Sequence, residues 1–166
     1  MANICTFEMR VRGNKEACFE MLNADFPSYD RGTCGEYGSD GDFTLWIFGE
    51  CRYDLHSMDK GEETIAQIAA RLGVECEIFG YDISEPEWIQ HFHYSKDGEC
   101  LHAFDLPTVV PDLEEFEIPE EDHHKYSFME EHGIYVLKAD FQEEFEWDDC
   151  EEVMHLPWIM SVPDDQ

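Results

Sequence analysis

The chain has 166 residues, 43% hydrophobic and 14% aromatic, enough apolar material for a packed domain and too much for a disordered acidic tail. Forty acids oppose ten bases, and the formal net charge of −30 excludes direct binding to nucleic acid or to an anionic membrane. The seven cysteines are odd in number and form no CxxC pair, which predicts buried, reduced thiols.

The N-terminal MANICTFEMRVRG carries charges where a secretory signal needs its apolar stretch, and no run reaches the length of a membrane span. A cytoplasmic protein is expected. From Asn3 to Arg12, Cys5, Phe7, Met9 and Val11 alternate with Thr6, Glu8, Arg10 and Arg12, the pattern of a half-buried strand. Asn14 can cap a short helix from Lys15 to about Leu22. The Gly-, Ser- and Asp-rich piece from Pro27 to Gly41 reads as a long loop. Asp42 to Leu55 is apolar on both alternate sets, as a central strand would be, and Gly49 invites a bulge or tight hairpin.

Glu62 to Leu72 is predicted helical, with Ile65, Ile68, Ala69 and Leu72 at i, i+3, i+4 and i+7 and Gly73 as its stop. In VECEIFGY, residues 74–81, Val74, Cys76 and Ile78 face one side and Glu75 and Glu77 the other. Asp97-Gly98 then predicts a two-residue hairpin turn within residues 88–104, setting Tyr94 opposite Leu101 and His93 opposite His102. This order predicts an α+β ferredoxin-like sandwich over 1–104, an antiparallel sheet with two helices on one face. Residues 105–166 form an acidic extension packed on or beside it, in which EEVMHLPWIM is apolar enough to dock back on the core.

Three pieces, MANICTFEMRVRG, GECRYDLHSM at 49–58 and SEPEWIQHFHYSKDGEC at 84–100, resemble the YubB ferredoxin-like family in order and spacing over about residues 1–104. Members commonly carry Trp where this chain has Tyr53. The resemblance implies a ferredoxin-like fold and a setting among phages, plasmids and other mobile elements, and it carries no catalytic residues to transfer.

His91, His93 and His102 fall on one sheet face and are the candidate metal site, Zn²⁺ or a similar ion with a carboxylate completing it. Read structurally, they decorate the face opposite the helices and pack against the C-terminal third. EEDHH at 120–124 and EEH at 130–132 read as solvated acidic loops. No phosphate loop, GxSxG or EF-hand spacing occurs, and Cys5, Cys51 and Cys100 alternate with buried positions, so no nucleophile is named and no cofactor is expected.

The charge is segregated. Residues 1–71 hold 13 acids and 7 bases, whereas residues 72–166 hold 27 acids, 3 lysines and no arginine. Its densest run, FQEEFEWDDCEE at 141–152, has seven acids and no base. Glu143, Glu144, Glu146, Asp148, Asp149, Glu151 and Glu152, with Phe145 and Trp147 as apolar anchors, suit a basic groove. Glu114, Glu115, Glu117, Glu120 and Glu121 supply a second patch. A globule of this length is about 40 Å across. Duplex DNA of that length carries roughly 24 phosphates, and the last 95 residues carry a net charge of −24. The expectation is a non-enzymatic inhibitor that mimics nucleic acid, of the anti-CRISPR or anti-restriction kind, with a basic nucleic-acid-binding host protein as partner. The alternatives are a metal- or ligand-binding domain using the histidines, and an acidic adaptor or homodimer.

Overall fold

The computed structural model describes residues 4–52, 54–82, 88–138, 146–148, 153–155 and 158–160. Alternation in ICTFEMRVRG gives strand β1, Ile4–Gly13, and Asn14 ends it by turning its side chain onto the N–H of Glu16 at 2.9 Å, capping helix α1, Lys15–Leu22. Strands β2, Tyr29–Ser39, and β3, Asp42–Arg52, follow as an antiparallel pair. A 3₁₀ turn, Leu55–Lys60, leads to helix α2, Ile65–Leu72, then strand β4, Glu75–Asp82, and the hairpin of β5, Trp88–Tyr94, and β6, Cys100–Pro107. The six strands form one sheet in the order β2-β3-β1-β4-β5-β6, every pairing antiparallel.

Both helices lie on one face. Cys18 and Met21 of α1 and Ile65, Ile68 and Ala69 of α2 join the same buried cluster as Phe7, Met9 and Val11 of β1, Leu45 and Ile47 of β3, and Cys76 and Ile78 of β4. Burying a side chain of this size contributes about 1.5–3 kcal/mol, so this layer is the main apolar contribution to stability. Gly80, on β4, faces Leu55 so closely that a Cβ there would lie 2.5 Å from Leu55 Cγ. Gly80→Ala is therefore expected to destabilise the fold by about 1–3 kcal/mol through overpacking. Urea unfolding measures it, and a loss below about 0.5 kcal/mol would show the 3₁₀ turn is not seated there.

Four local expectations are corrected. Residues 27–41 are not a long loop, because Tyr29–Ser39 pairs along β3 as an edge strand with two register shifts. Arg31 ties that strand to the end of α1, donating to the carbonyls of Leu22 and Ala24 at 2.9 and 2.7 Å. Helix α2 starts at Ile65, since Thr64 and Gln67 form a reciprocal capping box that leaves Glu62 and Glu63 outside it. The irregularity expected at Gly49 falls on the partner strand: β3 runs straight through Gly49 opposite Phe7, whose ring occupies the space a Cβ would need, while on its other side the register of β2 shifts between Tyr29 and Gly32, setting Asp30 and Arg31 against Gly49. The β5–β6 turn has three residues, closed by Ser95 N–H on the Glu99 carbonyl with Gly98 left-handed at φ 83°. A register shift after it restores His93 opposite His102 but sets Tyr94 opposite Cys100, which is exposed on this outer strand.

Beyond β6, strands β7, Val109–Val110, β8, Tyr126–Met129, and β9, Ile134–Leu137, form a second sheet in the order β7-β9-β8. Its core is Leu106, Val110, Ile118, Tyr126 and Leu137, and Tyr126 donates its hydroxyl to the Pro107 carbonyl at 2.6 Å. Strands β10, Glu146–Asp148, and β11, Val153–His155, pair with each other. Among the described residues, no helix is long and apolar enough to cross a membrane.

Candidate functional site

Alternation along β1, β3, β4, β5 and β6 puts Arg10, Trp46, Glu75, Glu77, Phe79, His91, His93 and His102 on the sheet face away from the helices. The two imidazoles of β5 each reach diagonally to a glutamate of β4. His91 Nε2 lies 2.5 Å from Glu77 Oε2, and His93 Nε2 lies 2.6 Å from Glu75 Oε2. His91 also stacks on Phe79, its register partner, with ring centroids 3.7 Å apart, and its ring is 4.6 Å from that of His102.

Residues Trp158–Met160 close over this face. Glu77, fully buried, accepts the N–H of Ile159 at 2.8 Å and of Met160 at 2.7 Å, one on each carboxylate oxygen. Arg10 Nη1 donates to the Met160 carbonyl at 2.7 Å, so one short stretch of backbone is held by an acid and a base from adjacent strands. The Arg10 guanidinium lies against the rings of both Trp46 and Trp158, 4.4 and 4.3 Å from their centroids. Trp158 meets Trp46 and Phe79 edge-on. Residues Trp158–Met160 thus dock back on the core, and Glu77 is an internal anchor.

Burial pushes the Glu77 carboxyl upward, but the hydrogen bonds from His91, Ile159 and Met160 and the His91 charge outweigh it, leaving its pKa below the usual carboxylate value. A depressed carboxylate stabilises the fold at pH above its unfolded value, about 4.3, and that contribution disappears as pH falls through the folded value. Acid also relieves the self-repulsion of a −30 chain, which works the other way. The expected result is therefore differential: in acid titration by tryptophan fluorescence, the stability advantage of the natural chain over Glu77→Gln shrinks below about pH 4. An advantage that grew there would reverse the assigned sign.

A second polar link was not foreseen, because its members are far apart in the chain. Gln90 accepts the Leu55 N–H at 2.8 Å and donates to Asp105 at 3.1 Å, and Asp105 holds His56 at 2.5 Å, fastening the 3₁₀ turn to the β5–β6 hairpin. The Asp105 hydrogen bond raises the His56 pKa against the opposing effect of burial.

His91 and His93 bind glutamates, and a metal ion would have to displace those bonds. Among the described residues, no three His, Cys, Asp or Glu side chains gather as a metal site. Two wide grooves of about 450 and 530 Å³ flank α1, one reaching Arg71 and Leu72 of α2 and the other bounded by Asn14, Lys15 and Asp40. Neither encloses converging catalytic groups.

The second acidic patch is fully described. Asp112 accepts the N–H of Glu114 and Glu115 at 2.8 and 3.1 Å, making a tight turn that projects their side chains, and Glu117 follows in the left-handed region at φ 54°. Glu114, Glu115, Glu117, Glu120 and Glu121 are all exposed. The nearest base in sequence, Lys125, is bound by Asp122 at 2.8 Å. The β8–β9 turn adds exposed Glu130 and Glu131 next to Phe128 and Met129, which are 52% and 42% exposed. In the run 141–152, Glu146, Trp147 and Asp148 form β10, opposite His155, Met154 and Val153. Glu143, Glu144, Phe145, Asp149, Glu151 and Glu152 lie outside the described residues.

Comparison with protein-family models, with curated proteins and with solved structures finds no match for this chain. Its functional reading rests on its own residues.

Proposed function

We propose that the chain is a non-enzymatic acidic protein of a mobile genetic element that binds and blocks a basic nucleic-acid-binding protein of the host. The observation that carries this reading is the state of the five glutamates of the second patch. All are exposed and, among the described residues, none has a cationic partner, although they sit on a lobe with its own apolar core. Carboxylates displayed this way repel one another, a cost that a folded lobe offsets when a basic surface neutralises them. Phe128 and Met129 give that surface apolar contact beside the charge.

The polar groups of the sheet face away from the helices point the same way: Arg10 and Glu77 hold Ile159 and Met160 and His91 binds Glu77, so among the described residues these groups already have partners and the exposed glutamates of the second patch do not. The order β2-β3-β1-β4, with both helices on one face, supports reading the first part as a ferredoxin-like unit extended by one hairpin. That reading agrees with the mobile-element setting the family resemblance implies, and a cytoplasmic site of action goes with it. Capture from nuclease-treated host lysate tests the proposal. A nucleic-acid-binding protein retained at low salt and released by added salt is expected; a partner retained at any ionic strength would contradict it.

A further inference from the structure

Cys5 of β1 and Cys51 of β3 are register partners on adjacent antiparallel strands. Both belong to the helix-side core and are 1% and 0% exposed. Directly opposed residues in such a ladder have Cα atoms about 4.5–5.5 Å apart, inside the roughly 4.4–6.8 Å that a disulfide spans. No strand has to shift to join them.

The Cys51 thiol also differs from its neighbours. Its pKa is lowered, first by the neighbouring Cys5 side chain and, against burial, by Ser57, and its thiol donates to the Asp54 carbonyl at 3.3 Å. Burial instead pushes Cys18 up to about 11 and raises Cys76 and Cys34. Both thiols are buried, so a peroxide reaches them through local opening of the β1–β3 pairing.

We propose that Cys5 and Cys51 form an oxidisable dithiol, a modification site that closes to a cross-strand disulfide on exposure to a peroxide. The Cys51 thiolate attacks the peroxide, the O–O bond breaks, and a sulfenic acid and an alcohol or water result. The Cys5 thiolate then attacks the Cys51 sulfur, the S–O bond breaks, and water leaves as the S–S bond forms. Overall the two thiols lose two hydrogens and the peroxide is reduced. The product rivets β1, a central strand, to β3 and closes a loop of over forty residues.

The test uses the unaltered chain. Native protein is treated with stoichiometric hydrogen peroxide, unfolded in the presence of an alkylating agent, and mapped by mass spectrometry. The expected result is a linked Cys5–Cys51 peptide, short of two hydrogens and restored by a reductant, with Cys18 and Cys76 alkylated and the thermal midpoint raised. In Cys5→Ser, a dione probe should trap the Cys51 sulfenic acid. Recovery of Cys5 and Cys51 as alkylated thiols, or of Cys51 linked to a different cysteine, would overturn the proposal.

Discussion

Glu77→Ala is expected to lower the unfolding free energy by about 3–5 kcal/mol, the loss typical of removing one partner from a buried ion pair. Three effects combine. The change strands Arg10 and His91 without their carboxylate, and it leaves the N–H groups of Ile159 and Met160 facing a gap. An unsatisfied buried donor costs about 1–3 kcal/mol. Glu77→Gln should be milder, since one oxygen still accepts one N–H while the new amide N–H₂ faces the other. Urea denaturation with an unchanged slope measures both. A loss below about 1 kcal/mol for Glu77→Ala would show that the closing of Trp158–Met160 over the sheet does not depend on this carboxylate.

Reversing Glu114, Glu115, Glu120 and Glu121 to Lys is expected to weaken partner binding at least tenfold, mostly by slowing association. Each exposed acid–base contact is worth about 0.2–1 kcal/mol, and reversal replaces attraction by a repulsion of similar size. Four positions therefore sum to roughly 2 kcal/mol or more, and screening by salt should shrink the difference. The fold should tolerate the change, because all four side chains are exposed and each reversal adds two charges, taking the net from −30 to −22. The same reversal at Glu143, Glu144, Asp148 and Asp149 tests the other patch, and Trp147→Ala should act on dissociation instead. Surface-resonance kinetics separate these outcomes. Unchanged association for both sets would make the acids a solvated face only.

Much of the six-stranded sheet and its two helices was legible because the signals are local. Alternation in β1 and β4, the Asn14 cap and the i, i+3, i+4 spacing of α2 each specify an element within a dozen residues. Strand β2 was not legible, since its glycines read as a loop. Gly32 is used for packing: a Cβ there would lie 2.6 Å from Phe48 Cζ on the neighbouring strand. The third residue of the hairpin turn was missed because Asp97-Gly98 fits either loop length, and the register shift hides the difference.

The anchor was half legible. Periodicity placed Glu77 on the right face but could not name its partners, because what buries it, Trp158–Met160, is more than 80 residues away in sequence. The same distance explains the histidines. Three on one face fit a metal site or a packed sheet face alike until the glutamates of β4 and the returning backbone are placed among them.

Competition with nucleic acid decides whether the protein occupies a nucleic-acid groove. With the captured partner immobilised, this protein should be displaced by duplex DNA or RNA in proportion to its concentration, and should in turn displace a labelled nucleic acid from the same partner. Mutual exclusion that weakens in step with the Glu114, Glu115, Glu120 and Glu121 reversals is the result expected of an acidic protein seated in a nucleic-acid groove. Simultaneous binding of the protein and the nucleic acid, with neither affecting the other's affinity, would contradict it.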